Sequence, residues 1–224
     1  MTMPGALLAF EAVQLARGAV CDLSVPPHHA VAVSGPEDSG VGSLARVALG
    51  LERPPNGRAL IMNTEIARLP RAAALAFRRR VGYLPAGDGL LQNLSLQDNI
   101  ALPLRFGTEL DDDAIEGRIR IILTMMHLTD VSALRPAHVN EEQRRRAALA
   151  RAVVFDPELV LMEQPFDGLT DRAAAELLEV ARGGVTAGGS RRTVFITGQD
   201  LPHLLRARVD SRYRVVGSTF LREA

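Results

Sequence analysis

Lysine is absent from this 224-residue chain, so all 26 positions of its Lys+Arg count are arginine. No ammonium side chain is available to neutralise a bound phosphate. Cysteine is nearly absent as well. Cys21 stands alone, which excludes an internal disulfide and fits a reducing compartment. An excess of either charge is also missing: 26 basic residues meet 26 acidic ones, and no overall field favours nucleic acid or an anionic membrane. No apolar run approaches the length that crosses a bilayer. The start, MTMPGALLAF, lacks the charged lead and longer apolar core of a signal peptide. Together these predict a cytoplasmic protein whose membrane role, if any, comes through a partner.

What is present is a 47% hydrophobic composition, which over this length supports one core, as a single domain or as a domain carrying an insert. Short apolar runs at 30–34, 81–84, 159–162 and 193–197 read as strands, with helical patterns between them. That alternation predicts an α/β fold with a helix-covered sheet. From about 87 to 154 the pattern is helical only. In DDDAIEGRIRIILTMMHL, Asp111 serves as a cap, acidic residues fill the first turn, and Ile115, Ile119, Ile122 and Met126 share a face. A second helix, EEQRRRAALARAVV, precedes the turn Asp156-Pro157. The expected organisation is one unit over 1–224, with 1–86 and 155–224 as the α/β core and 87–154 as a helical subdomain. The arginines at 78–80 and 144–146 are read as solvated faces in preference to anion contacts. GGVTAGGS, 183–190, is read as a surface loop.

Between AVAVS and the helical pattern LARVALGL lies GPEDSGVGS, comprising Gly35, Pro36, Glu37, Asp38, Ser39, Gly40, Val41, Gly42 and Ser43. Strand, glycine-rich turn and helix is the layout of a phosphate-binding loop. In such a loop backbone N–H groups and a lysine hold phosphates, and a hydroxyl holds magnesium. Here Val41 takes the lysine place and Gly42 the hydroxyl place, with Ser43 one position beyond. Gly35, Gly40 and the helix N-terminus retain some anion-binding geometry. Glu37 and Asp38 place carboxylates beside it. Two unit charges about 4 Å apart interact by roughly 4 kcal/mol at an effective dielectric of about 20. Losing the ammonium while adding carboxylates therefore weakens a triphosphate by about a thousandfold or more. The preferred reading is a structural turn that keeps the shape without the chemistry.

Further along, RRAALARAVVFDPELVLMEQPFDGLT resembles the run from signature helix through Walker B strand to D-loop of ATP-binding cassette proteins. VGYLPAGDGLLQNLSLQDNIALPL is similar to that family's Q-loop and the entry to its helical subdomain, including Asn99 and Pro103. The resemblance covers nearly the whole chain. RRAALARA and the phenylalanine of QPF resemble the branch that serves Mla-type phospholipid transporters, which work with MCE proteins. The resemblance implies a P-loop NTPase core with an inserted helical subdomain, ATP with magnesium as cofactor, and a transmembrane permease as partner. It also implies a dimer with itself or with an intact subunit, no nucleic acid, and a place on the inner face of the cell membrane.

Several positions carry altered residues. Glu163 takes the place of the metal-holding aspartate, and has two readings: a metal ligand, or a strand-end carboxylate satisfied by backbone. Gln164 takes the place of the glutamate that polarises the attacking water, and an amide accepts no proton. The signature corresponds to Val139, Asn140, Glu141, Glu142 and Gln143, where bulk and negative charge replace close backbone contacts. The preferred alternative there is a helix start capped by Asn140. Ala86 occupies the Q-loop glutamine place. Gln199, or Gly198 if the frame shifts by one, occupies the switch-histidine place, and His203 lies too far along. Thr170 replaces the D-loop aspartate and makes a good helix cap. VQLARG at 13–18 offers no aromatic ring for adenine, and Phe10 reads as core.

Three functions follow. The first is a non-hydrolysing structural or regulatory subunit of a lipid-type transporter, with ATP and magnesium bound weakly or not at all. The second is a weak or partner-completed ATPase. The third is a nucleotide-independent binding protein or a relic.

Overall fold

A computed structural model describes residues 5–183 and 191–223; apart from Gly183, the loop expected at 183–190 lies outside them. The strands are β1 (Leu8–Gln14), β2 (Val20–Val25), β3 (Ala30–Ser34), β4 (Arg58–Ile61), β5 (Val81–Leu84), β6 (Leu159–Glu163), β7 (Thr193–Gly198), β8 (Ser211–Val216) and β9 (Thr219–Glu223). The α-helices are α1 (Leu44–Ala48), α2 (Arg71–Arg78), α3 (Leu96–Gly107), α4 (Asp112–Met125), α5 (Glu141–Val153) and α6 (Asp171–Arg182).

The four apolar runs form the heart of a six-stranded sheet ordered β5-β6-β7-β3-β8-β9. Its neighbours are parallel except for the antiparallel pair β8 and β9. Successive side chains of a strand face opposite ways, and both faces here are apolar. Ala30, Ala32, Val160, Met162, Val194 and Ile196 join the helices in one core. Val31, Val33, Leu159, Leu161 and Phe195 join a second core. A sheet covered on both sides reads as continuous hydrophobic runs, which is why these strands are visible in the sequence.

The second core is closed by an antiparallel sheet ordered β2-β1-β4. Phe10 lies buried there, its ring centroid 5.2 Å from that of Phe195. Between β5 and β6, among the described residues, there is no strand, only helices and turns. Asp111 caps α4 by accepting from the Ala114 N–H, and Ile115, Ile119 and Ile122 are buried.

The arginines at 144–146 and Arg78 correct their reading as solvated faces, while Arg79 and Arg80 are exposed as that reading has it. Arg145 and Arg146 are buried. Arg145 donates to the Gly87 carbonyl, Arg146 pairs with Glu142 and Glu176, and Arg144 pairs with Asp88. Arg78 donates to the Leu49 carbonyl and Arg80 pairs with Glu158. These side chains tie elements together, which a local charge pattern does not reveal.

Because β3, β5, β6 and β7 are parallel, their carboxyl ends lie at one edge of the sheet. Ligands of open α/β sheets bind at that edge. It gathers residues 35–43, Ala86, Glu163, Gln164, Gly198 and Gln199.

Candidate functional site

The loop after β3 is folded into two single-turn 3-10 segments, Glu37–Ser39 and Val41–Ser43, joined by Gly40 in the left-handed region at φ 82°. Three of its N–H groups donate within the loop. Ser39 N donates to Pro36 O and Ser43 N to Gly40 O, at 2.9 and 3.1 Å. Val41 N donates to the Ser39 hydroxyl at 3.3 Å. Ser39 and Val41, with Val215, pack against the Gly35 side of the loop, whereas the Gly42 side is open. A Cβ at Gly35 would stand 2.8 Å from Ser39 Oγ and 3.1 Å from Val41 Cγ2. Val41 is buried in the second core. The helix that follows, α1, has five residues and continues directly from the Val41–Ser43 turn.

Glu163 ends β6 almost fully buried, 2% exposed. Arg46, on α1, donates from Nη1 to both of its carboxylate oxygens at 3.2 and 3.1 Å. The same nitrogen donates to Gly42 O at 3.1 Å, and Nε donates to Glu52 Oε2 at 3.0 Å. Tyr83 Oη donates to Glu163 Oε1 at 3.0 Å and Ala86 N to Oε2 at 3.4 Å. Burial opposes the Arg46 charge, yet the charge of Glu163 and the hydrogen bond and charge of Glu52 hold its pKa above the ordinary value. Burial first, and the Glu163 carboxylate second, push the Tyr83 phenol well above its usual range. It stays a protonated donor.

Glu163 is thus satisfied by a guanidinium, a phenol and one backbone N–H, a fuller arrangement than backbone alone. Residues at this edge do not fit magnesium. Gly42 has no hydroxyl, Ser43 Oγ donates back to Gly40 O at 2.8 Å, and the Glu163 oxygens are engaged. Among the described residues no group of three or more His, Cys, Asp or Glu side chains is arranged to hold a metal ion.

Gln164 has a positive φ of 45° and its N–H donates to Thr197 O at 2.7 Å. It borders a cavity of about 290 Å³ with Phe166, Thr197, Leu201 and His203. Gln199 is exposed at the end of β7. Asp38 pairs with Arg17, while Glu37 lines a cleft of about 430 Å³ beside the loop with Gln14, Ala16, Ser43, Arg46 and Glu52. No aromatic side chain lines that cleft.

At the other cluster, Asn140 caps α5 through a reciprocal box with Gln143, the bonds measuring 2.8 and 3.0 Å. The Glu141 carboxylate lies against Gly168, where an added Cβ would meet it at 2.5 Å. Among the described residues no hydrogen bond or ion pair joins 139–143 to the loop at 35–43. Thr170 caps α6. Arg46 and Tyr83 are functional-edge residues that motif spacing passes over. The available signal is one helical turn: Arg46 follows Gly42 by four positions, in a chain without lysine.

Residues 20–167 match the family model described as ABC transporter. The chain belongs to the ABC transporter family. Among curated relatives, the intermembrane phospholipid transport system ATP-binding protein MlaF of Haemophilus influenzae is 32% identical over 147 residues, 66% of this chain and 56% of that protein. The match therefore spans little over half the length of that relative. MlaF of Escherichia coli K12 is 28% identical over 204 residues, 89% of this chain and 75% of that protein. The same fold occurs in the dimeric post-hydrolysis structure of the ATP-binding cassette MJ0796 bound to ADP and Pi. That chain superposes with a TM-score of 0.84 at 20% identity, over 96% of this chain and 97% of that one. No helix among the described residues is long and apolar enough to cross a membrane.

Proposed function

We propose that this chain is the cassette subunit of a membrane transporter, of the phospholipid kind for which its MlaF relatives are named, and that it supports the assembly without hydrolysing ATP. The observation that carries this reading is the saturation of Glu163 by Arg46, Tyr83 and Ala86. A carboxylate so engaged is not free to hold a metal, and Gln164 beside it accepts no proton from water. Weak triphosphate binding is supported by the carboxylates of Glu37 and Glu52 at the cleft. Residues 87–154 serve as the helical subdomain that meets a permease, which holds the chain on the cytoplasmic face of the membrane.

The test is release of inorganic phosphate from magnesium ATP by the purified chain. The expected rate equals the protein-free blank, and Gln164→Glu alone leaves it there. Turnover that disappears in Glu163→Ala would establish the chain as an enzyme and overturn the reading.

A further inference from the structure

The whole-chain balance of 26 basic and 26 acidic residues hides a local excess. Between Glu65 and Asp88 the sequence holds five arginines, at 68, 71, 78, 79 and 80, and no acidic residue. Most of them belong to α2 and the turn that ends it. Positions four apart share one face of a helix, so Arg71, Leu75 and Arg79 form a stripe with Ala72 and Ala76 beside it. All five of these side chains are exposed, Leu75 by 53%. The opposite side holds the helix to the protein, with Ala74 buried and Phe77 and Arg78 partly buried. Compensation of the five charges is uneven. Arg68 pairs with Glu65 and Arg80 with Glu158, and the Arg80 guanidinium also lies over the Phe77 ring. Arg78 donates to the Leu49 carbonyl, which brings no charge. The side chains of Arg71 and Arg79 have no hydrogen-bond or ion-pair partner among the described residues. By contrast Arg118 and Arg120, exposed on α4, share that helix with Asp112, Asp113 and Glu116.

We propose that the exposed face of α2 lies on an anionic lipid surface, with its guanidiniums on headgroup phosphates and Leu75 at the apolar boundary beneath them. Guanidinium is weakly hydrated and takes phosphate through paired N–H donors. Basic and apolar side chains side by side on a convex helix face suit a flat interface. Residues 71–80 include no carboxylate, amide or hydroxyl side chain, so the face offers charge and apolar contact and nothing that reads a peptide or a base. The proposal rests on the reading of the chain as a transporter subunit only for the nearness of a membrane.

The experiment sediments the full chain with sucrose-loaded vesicles, without permease or nucleotide. One set is pure phosphatidylcholine and the other is about two parts phosphatidylcholine to one part phosphatidylglycerol. Three uncompensated arginines near an anionic surface predict partition about a hundredfold stronger onto the second set at low salt. Added salt is expected to remove most of that preference. Arg71→Ala combined with Arg79→Ala is expected to weaken partition about thirtyfold. Arg118→Ala combined with Arg120→Ala, which removes the same charge from another face, is expected to leave it unchanged. All four side chains are exposed, and matched melting curves check that both variants fold. Equal partition onto the two vesicle sets would overturn the proposal. So would equal weakening in the two double variants, which would make net charge the cause, or binding to a DNA duplex as tight as to the anionic vesicles. Vesicle binding in the absence of nucleotide is read separately from phosphate release, so its failure leaves the non-hydrolysing reading untouched.

Discussion

Val41 packs into the second core and, with Ser39 and Val215, stands close to Gly35, so the position that would carry an ammonium in a phosphate loop carries a buried apolar side chain instead. The charge opposite buried Glu163 comes from Arg46, whose side chain is 40% exposed. Cys21 illustrates the opposite case, a side chain with chemistry and no access. It is fully buried, and desolvation, aided by the Asp22 charge, pushes its thiol far above the ordinary range. Thiolate is the reactive form, so Cys21 is expected to resist a thiol reagent at neutral pH in the native chain and to react with one equivalent after denaturation. Fast native labelling would mean the β1–β2 pair opens readily.

At the scale of elements, local chemistry explains most boundaries. Asn140 begins α5 with a reciprocal box, and Glu141 and Glu142 lie in its first turn, where the helix dipole favours acids. Asn140→Ala is expected to lower unfolding stability by about 1 kcal/mol, measured by urea denaturation, with no change in the slope. This is the residue that the family resemblance places in the signature, so the helix-start reading and the family reading meet at one position. Strands buried on both faces announced themselves as apolar runs. By contrast, β1, β2 and β8 mix exposed and buried positions and β9 has none buried, and their short alternations are ambiguous in sequence. The five-residue α1 is shorter than LARVALGL suggested because it stops before Gly50, which turns the chain at a left-handed φ of 66° while its N–H donates back to Val47 O and the Leu51 N–H to Arg46 O.

Across the whole molecule, buried arginines join the helical segment to the sheet-bearing parts. Arg146 of α5 meets Glu142 on its own helix and Glu176 on α6, and Arg172 meets Glu176 from the other side. Hydrogen bonds from Arg172 and then Arg146 hold the Glu176 carboxyl below its ordinary value of 4.5. A depressed folded pKa means this contribution is fully present above 4.5 and is lost as pH falls through the lowered value. Because Glu176 is 39% exposed, solvent screening keeps it below about 1 kcal/mol. Glu176→Gln is therefore expected to melt slightly lower than wild type at neutral pH, with the gap closing as the solution is acidified below 4.5. A gap that persists in acid would assign the effect to packing.

Residue order alone determined the inventory: no lysine, a valine and a glycine where a phosphate loop needs an ammonium and a hydroxyl, an amide at Gln164, and apolar runs that specify the central strands. These follow from composition and from short periodicities, which local sterics and burial translate directly into strands, turns and caps. Tertiary structure alone decided that Arg46 meets Glu163, 117 residues away, and that Tyr83 and Ala86 complete the same cluster. Those contacts depend on the order β5-β6-β7-β3 in a parallel sheet, which brings separate strand ends to one edge. No local pattern encodes that order, because it is set by how the two cores pack on opposite faces of the sheet.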